Sequence, residues 1–485
     1  MTYVLRRQGG VLVGSASSRT VAVSRAVTPE AMTYVLRRQG GVLVGSASSR
    51  TVAVSRAVTP EAMTYGIICA KKGSVGMDGF LEQPSRAVRD RTCFAIVNGR
   101  LALPDRIVED RALVVEAGRI AALAAPADLD PAMMRFDAGG RLVTPGLIDI
   151  HIHGALGHTF NEPTPAAFAT ITRLLARHGV TSLLATTATD ALENLTAVLA
   201  FARTWMQMPA DGQHAQVLGV HVEGPCFHPA QAGAQNPAYL RTPADGSAAQ
   251  LLDYADVIRI LTFAPELPGA LELTHTLRQY GIVAAAGHST AQETLVLPCI
   301  DAGLSHCIHL WSAQSTTVRE GPWRRPGLLE VALTDERLTG EIIADGKHLP
   351  PTLMKLAYRC LGPDRLCIVS DATSGAGLPE GNRFFMAGAE YEVADGVGMT
   401  LDRTSFAGST TLLDRMLAVV VETVGAPVVD ALRMATLTPA RVAGVADRKG
   451  SLEVGKDADI AIFDPGFRPW RTLIGGRWVD WKEEE

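Results

Sequence analysis

The chain has 485 residues, 47% hydrophobic and 20% charged, a balance that suits a packed globular protein and excludes wholesale disorder. No run approaches ~18 consecutive apolar residues, so no membrane-spanning helix is expected. A net charge of −5 without a Lys/Arg-rich block offers nothing to nucleic acid. Seven cysteines, an odd number with no Cys-x-x-Cys pair, read as reduced thiols of a cytoplasmic protein.

Residues 1–31 recur letter for letter as residues 32–62, and a third Met-Thr-Tyr begins at Met63 before diverging. Solenoid repeats drift in sequence and need about three copies to bury a shared core. Two identical copies therefore read as an artefact or a disordered extension, although the Arg/Ser-rich, acid-poor composition also resembles a transit peptide. Each copy carries four Arg and one Glu, so the leader contributes +6 and the remaining body is clearly acidic at −11. Residues 63–90 show weak patterning and receive no assignment.

From Thr92 onward, short apolar runs are punctuated by Asn-Gly, Ala-Gly and Gly-Gly, the texture of a small sheet. The C-terminal stretch from GSLEVGKDADIAIFD onward has the same texture. Residues 91–145 and 447–485 are accordingly expected to form one small β-sandwich domain. Between them, strands are expected at 142–150, 180–187, 216–223, 257–263, 282–287, 305–310, 340–344 and 366–370, separated mainly by helical segments such as TPAAFATITRLLARHG. Eight apolar strands alternating with helices imply an α/β fold, a (β/α)8 barrel over residues 146–446. A doubly wound sheet is the rival, but no G-x-G-x-x-G follows an early strand.

All twelve histidines lie between His151 and His348. Barrel enzymes build their sites at the C-terminal ends of strands, and the expected strand ends carry His151, His153, Thr186, Glu223, His288, His309, His348 and Asp371. At strand period, His151 and His153 point to one side and can chelate one ion. With Glu223, His288, His309 and Asp371 they form a nitrogen/oxygen donor set suited to a divalent metal.

These residues sit in motifs, PGLIDIHIHG, HVEGP, AGHSTA, HLWSAQ, IIADGKH, SDATSGAG, FAGST and the tail GSLEVGKDADIAIFD, that resemble the amidohydrolase superfamily and specifically the N-acetylglucosamine-6-phosphate deacetylase family. The resemblance implies hydrolysis of the N-acetyl amide of an amino sugar at a centre of one or two divalent ions, zinc foremost and iron as an alternative. It implies that Glu223 bridges, that His288 and His309 hold one ion, and that His151, His153 and Asp371 complete a second position. The carboxylated lysine of other superfamily branches is excluded, since no lysine lies between Lys72 and Lys347. Asp371 is expected to be the general base and acid.

The same resemblance places Ala234, Gln235, Ser312, Ala313, Asp345, Phe406, Ala407 and Gly408 along the substrate. It assigns Arg324 and His348 to a phosphate reached from a neighbouring subunit, hence a homodimer. Three positions depart from the family pattern: Gln235 and Ser312 stand where a His and an Asn are usual, and Gln314 replaces a Met. The arginine loop VREGPWRRPG, with Arg319, Arg324 and Arg325, is also longer. An isomeric or unphosphorylated amino sugar and an N-acyl amino acid therefore stay open as substrates, as does a non-catalytic binding protein. Of the remaining histidines, His221 is expected behind Glu223, and His306 and His178 as packing or capping residues. His158, His214, His228 and His275 receive no role.

Overall fold

The computed structural model describes residues 93–480 and four strands near the N-terminus, Thr2–Arg7, Gly10–Ser15, Met32–Arg38 and Gly41–Ala47. These four strands pair as an antiparallel sheet within a separate compact unit spanning residues 1–77. The segment 63–90 lies outside the described residues.

In the main unit, eight strands are buried on both faces, as expected of a parallel sheet covered by helices. They are β1 (Leu147–Ile152), β2 (Val180–Thr187), β3 (Gln216–Glu223), β4 (Ile258–Phe263), β5 (Val283–Ala286), β6 (Leu304–Cys307), β7 (Thr339–Ile343) and β8 (Leu366–Val369). They pair in parallel and in chain order. The ring closes where Ile152 bridges Ala372 and Asp371 N–H donates to His151 O at 2.9 Å. This is the expected (β/α)8 barrel.

The helix α1 (Pro165–Arg177) shows how the outer ring forms. Thr164 caps it by accepting from Ala167 N, Pro165 occupies the first turn, and Ala167, Phe168, Ile171, Leu175 and Ala176 make one buried face. Gly179, at φ +77°, then turns the chain into β2.

The expected strand 142–150 is two strands rather than one. Leu142–Pro145 pairs with Ile460–Asp464 in a six-stranded sheet, and β1 begins only at Leu147. Gly146 makes the break possible, since a Cβ there would stand 2.1 Å from Thr181 Oγ1. That six-stranded sheet faces a four-stranded one holding Cys93–Val97 and Ala112–Glu116. Phe94, Phe136 and Trp478 pack between them, with Phe136 and Trp478 ring centroids 4.3 Å apart. The sandwich is therefore assembled from both ends of the chain.

After β8 comes an antiparallel meander that the sequence pattern had not suggested, β9 (Arg383–Met386), β10 (Ala389–Ala394), β11 (Val397–Thr400) and β12 (Phe406–Ser409). It is stitched to the barrel mouth by Ser409 N–H to Asp371 O (2.9 Å) and Thr373 N–H to Ser409 O (3.0 Å). The arginine segment, expected as a loop, is a two-stranded hairpin, Val318–Glu320 with Trp323–Arg325, exposed along its length.

Candidate metal centre

Every ligand-type side chain in the centre hangs from the C-terminal end of a barrel strand. His151 lies in β1 and His153 just beyond it, their rings 5.3 Å apart. Glu223 is the last residue of β3. His288, His309 and Asp371 follow β5, β6 and β8, and all three adopt left-handed backbone, at φ 47°, 25° and 44°. A non-glycine residue there costs roughly 1–3 kcal/mol, and such strain persists where the surroundings impose it, characteristically at functional sites. Here the turn swings each side chain off its strand and into the mouth.

Glu223 is the hub. Its Oε1 lies 3.2 Å from His288 Nε2, 3.1 Å from His309 Nε2 and 3.5 Å from His151 Nε2. Its Oε2 lies 3.2 Å from His153 Nε2 and accepts from Gln235 Nε2 at 2.5 Å. Asp371 Oδ1 stands 3.2 Å from His153 Nε2 and 3.6 Å from His151 Nε2. All four imidazoles thus present Nε2 to the same carboxylates, in two groups that share Glu223. Two donors about 2.1 Å from one tetrahedral ion stand about 3.4 Å apart, so the observed spacing suits metal ligation. The buried Nε2 of His151 has no hydrogen-bond partner, as expected of an atom that keeps its lone pair for an ion.

The electrostatics agree. Burial alone would push the Glu223 carboxyl up, but His151, His153 and His288 hold it well below its usual range. Asp371 is likewise lowered, with burial overcome by His151 and His153. Burial opposes charge on His153, yet Asp371 and Glu223 raise it to about 9. A cluster that draws protons onto its own imidazoles has negative charge to neutralise, and a bound cation would supply the same compensation.

Above the centre opens a cavity of about 260 Å³. Of the residues expected along the substrate, Ala234, Gln235, Ser312, Ala313, His348, Phe406 and Gly408 line it. His348 Nδ1 is 2.7 Å from Asp345 Oδ2, and the ring lies 4.8 Å from Phe406. Asp345 stands behind His348, also accepting from its backbone N–H, rather than on the cavity wall. Ala407 is fully buried in the meander with Phe384, Met386, Tyr391 and Val393. Arg324 lies on the exposed hairpin, away from this chain's cavity. Gln235 is braced at both ends of its amide, because its Oε1 accepts from Thr189 N at 2.6 Å.

His221 lies behind the centre, with Nδ1 3.1 Å from Ile150 O and Nε2 2.7 Å from Thr262 Oγ1. His178 pairs with Asp414 at 3.2 Å, at the end of α1. Glu341, Thr373, Met386 and Ser405 belong to the centre or its cavity without having been singled out from sequence. For Glu341 there was a signal: a lone carboxylate inside an otherwise uncharged buried strand, TGEII.

A family model described as the amidohydrolase family matches residues 142–479. The N-acetylgalactosamine-6-phosphate deacetylase of Escherichia coli O157:H7 is 32% identical over 379 residues, covering 78% of this chain and 97% of that protein. The N-acetylglucosamine-6-phosphate deacetylase of Bacillus subtilis is 30% identical over 376 residues, 77% of this chain and 93% of the relative. Among solved structures, an N-acetylglucosamine-6-phosphate deacetylase from Pasteurella multocida superposes with a TM-score of 0.75 at 29% identity, over 80% of this chain and 99% of that one.

Proposed function

The chain belongs to the amidohydrolase family, among its amino-sugar phosphate deacetylases, and on that footing we propose that it removes the acetyl group of N-acetylglucosamine 6-phosphate, yielding glucosamine 6-phosphate and acetate. The single observation that carries this reading is the convergence of six candidate ligands, Glu223 at their hub, at the floor of one cavity. In our reading His288, His309 and Glu223 hold one divalent ion, and His151, His153, Glu223 and Asp371 the other, zinc being the metal best suited to this donor set. Such an ion brings Lewis acidity, polarising a carbonyl and lowering the pKa of water to about 7.

The remaining work falls to the protein. Asp371, ionised at neutral pH, takes a proton from the attacking water on its carboxylate and passes it to the departing amine nitrogen. Gln235 fixes the orientation of Glu223 and presents no acid. His348, steadied by Asp345, turns its Nε2 edge toward the sugar's anionic end. Among the described residues, no Lys or Arg side chain lines the cavity. In our reading Arg324 reaches the phosphate from a partner subunit, and the working form is a homodimer. We place this enzyme in the cytoplasm, on its odd number of cysteines without a Cys-x-x-Cys pair. Among the described residues no helix is long and apolar enough to cross a membrane.

The galacto isomer is a second reading, favoured by the Escherichia coli relative. Acetate release should be compared across N-acetylglucosamine 6-phosphate, N-acetylgalactosamine 6-phosphate, both unphosphorylated sugars and an N-acetyl amino acid. The highest kcat/KM is expected for a 6-phosphate. Preference for a neutral sugar or an amino acid sinks the substrate assignment.

A further inference from the structure

Glu341 has no part in the reaction just described, yet it is one of the most completely enclosed charges in the protein. It lies in β7 with no exposed surface. A buried carboxylate is costly unless its oxygens are well satisfied. Glu341 Oε2 lies 2.8 Å from His151 Nδ1 and also accepts from His309 N–H at 3.2 Å. Its Oε1 lies 2.9 Å from His306 Nε2, whose ring is in turn held by Thr339 Oγ1 at 2.6 Å from Nδ1. One carboxylate thus ties β1, the turn after β6 and the histidine of β6 together, directly beneath the donors.

The contact with His151 has a chemical consequence. A carboxylate can only accept, so Nδ1 of His151 carries a proton, and Nε2 is the nitrogen whose lone pair would go to an ion when one binds. That is the atom aimed at Glu223 and Asp371 and lacking a hydrogen-bond partner. The other imidazoles are held differently: His288 Nδ1 meets a neutral backbone carbonyl, Gln231 O, at 2.7 Å, while the buried Nδ1 atoms of His153 and His309 have no partner. Of the four, His151 alone is backed by a carboxylate, which orients the ring and raises its basicity as a ligand.

We propose that Glu341 is a positioning residue of the metal centre, which locks His151 in its ligating tautomer and thereby sets the affinity of the His151–His153 half. This rests on the reading of His151 as a metal ligand, and the test separates the two. Full-length protein stripped of metal is titrated with cobalt(II), followed by calorimetry and visible absorption, for the wild type, Glu341→Gln and His151→Asn. Two ions per chain are expected for the wild type. His151→Asn should lose one of them, and Glu341→Gln should bind that same ion roughly 10–100-fold more weakly while holding the other as the wild type does.

If Glu341→Gln titrates like the wild type while His151→Asn loses an ion, the proposal falls and the ligand reading stands. If His151→Asn also titrates like the wild type, His151 is not a ligand and both fall. Equal weakening of both ions would make Glu341 a general brace of the barrel mouth and overturn the proposal as well. Should Glu341→Gln not fold, Glu341→Asp, one methylene too short to reach His151, takes its place with the same expected weakening.

Discussion

At the scale of single residues, the centre is built so that charge and geometry are satisfied together. Asp371 is held ionised by His151 and His153 against the pull of burial. Replacing it by Asn keeps an oxygen in place but removes the proton acceptor we propose, so kcat of Asp371→Asn should fall by roughly 10²–10⁴-fold. Metal analysis of the variant should still find bound ion, since His288, His309 and Glu223 are untouched. The same electrostatics make a prediction for the chelated protein. His153 is raised to about 9 in that state against an ordinary 6.5. Its contribution to stability is therefore complete below about pH 6.5 and lost as pH rises through about 9. The melting temperature of metal-free protein should decline over that window by more than that of the metal-loaded protein, in which, on our reading, an ion would occupy the imidazole nitrogen.

At the scale of elements, the meander β9–β12 is what turns an open barrel mouth into a walled cavity, through Met386, Ser405, Phe406 and Gly408. Two of its turns carry positive φ at both central residues, Ala387-Gly388 at 49° and 80° and Asp395-Gly396 at 57° and 75°, the type I′ geometry that suits a twisted hairpin. Its last strand passes so close to β8 that Gly408, at φ +62°, has no room for a side chain. A Cβ there would lie 2.5 Å from Thr373 Cγ2 and 2.7 Å from Asp371 O. Gly408→Ala should therefore shift β12 against Asp371 and lower kcat/KM at least tenfold, on the order of the 1–3 kcal/mol typical of overpacking, with metal content unchanged. Steady-state kinetics paired with metal analysis would check it.

At the scale of the whole molecule, an acidic body must capture an anionic substrate with a few local cations rather than a general positive field. Among the described residues the cavity holds none beyond its histidines, and Arg319, Arg324 and Arg325 stand on the exposed hairpin with Trp323, 66% exposed. Arg324→Ala should raise KM for the 6-phosphate about tenfold or more, as expected for losing a charged hydrogen-bonding partner. It should leave kcat/KM for the unphosphorylated sugar unchanged, and sedimentation should find the variant in the same oligomeric state as the wild type, a dimer on our proposal. The duplicated leader belongs to a separate compact unit, and we expect a chain beginning at Met63 to retain the kcat/KM of the full-length protein.

The barrel and most of its chemistry were legible in the sequence because both are local patterns. Apolar runs of strand length alternate with amphipathic segments, and most runs end in or just before a ligand-type residue, so strand order and the six candidate donors could be read without coordinates. Tertiary structure alone decided features that depend on what a residue meets across the fold. Gly146 ends one strand and permits another because of Thr181, a residue 35 positions away. Glu341 looks like an anomaly in a buried strand until β1 and β6 bring His151 and His306 to its two oxygens. The meander was not read from the sequence, and only its seam with Asp371 and Thr373 shows that it walls the site. Periodicity records which face of an element is buried; it carries no record of the partner, which is set by long-range packing.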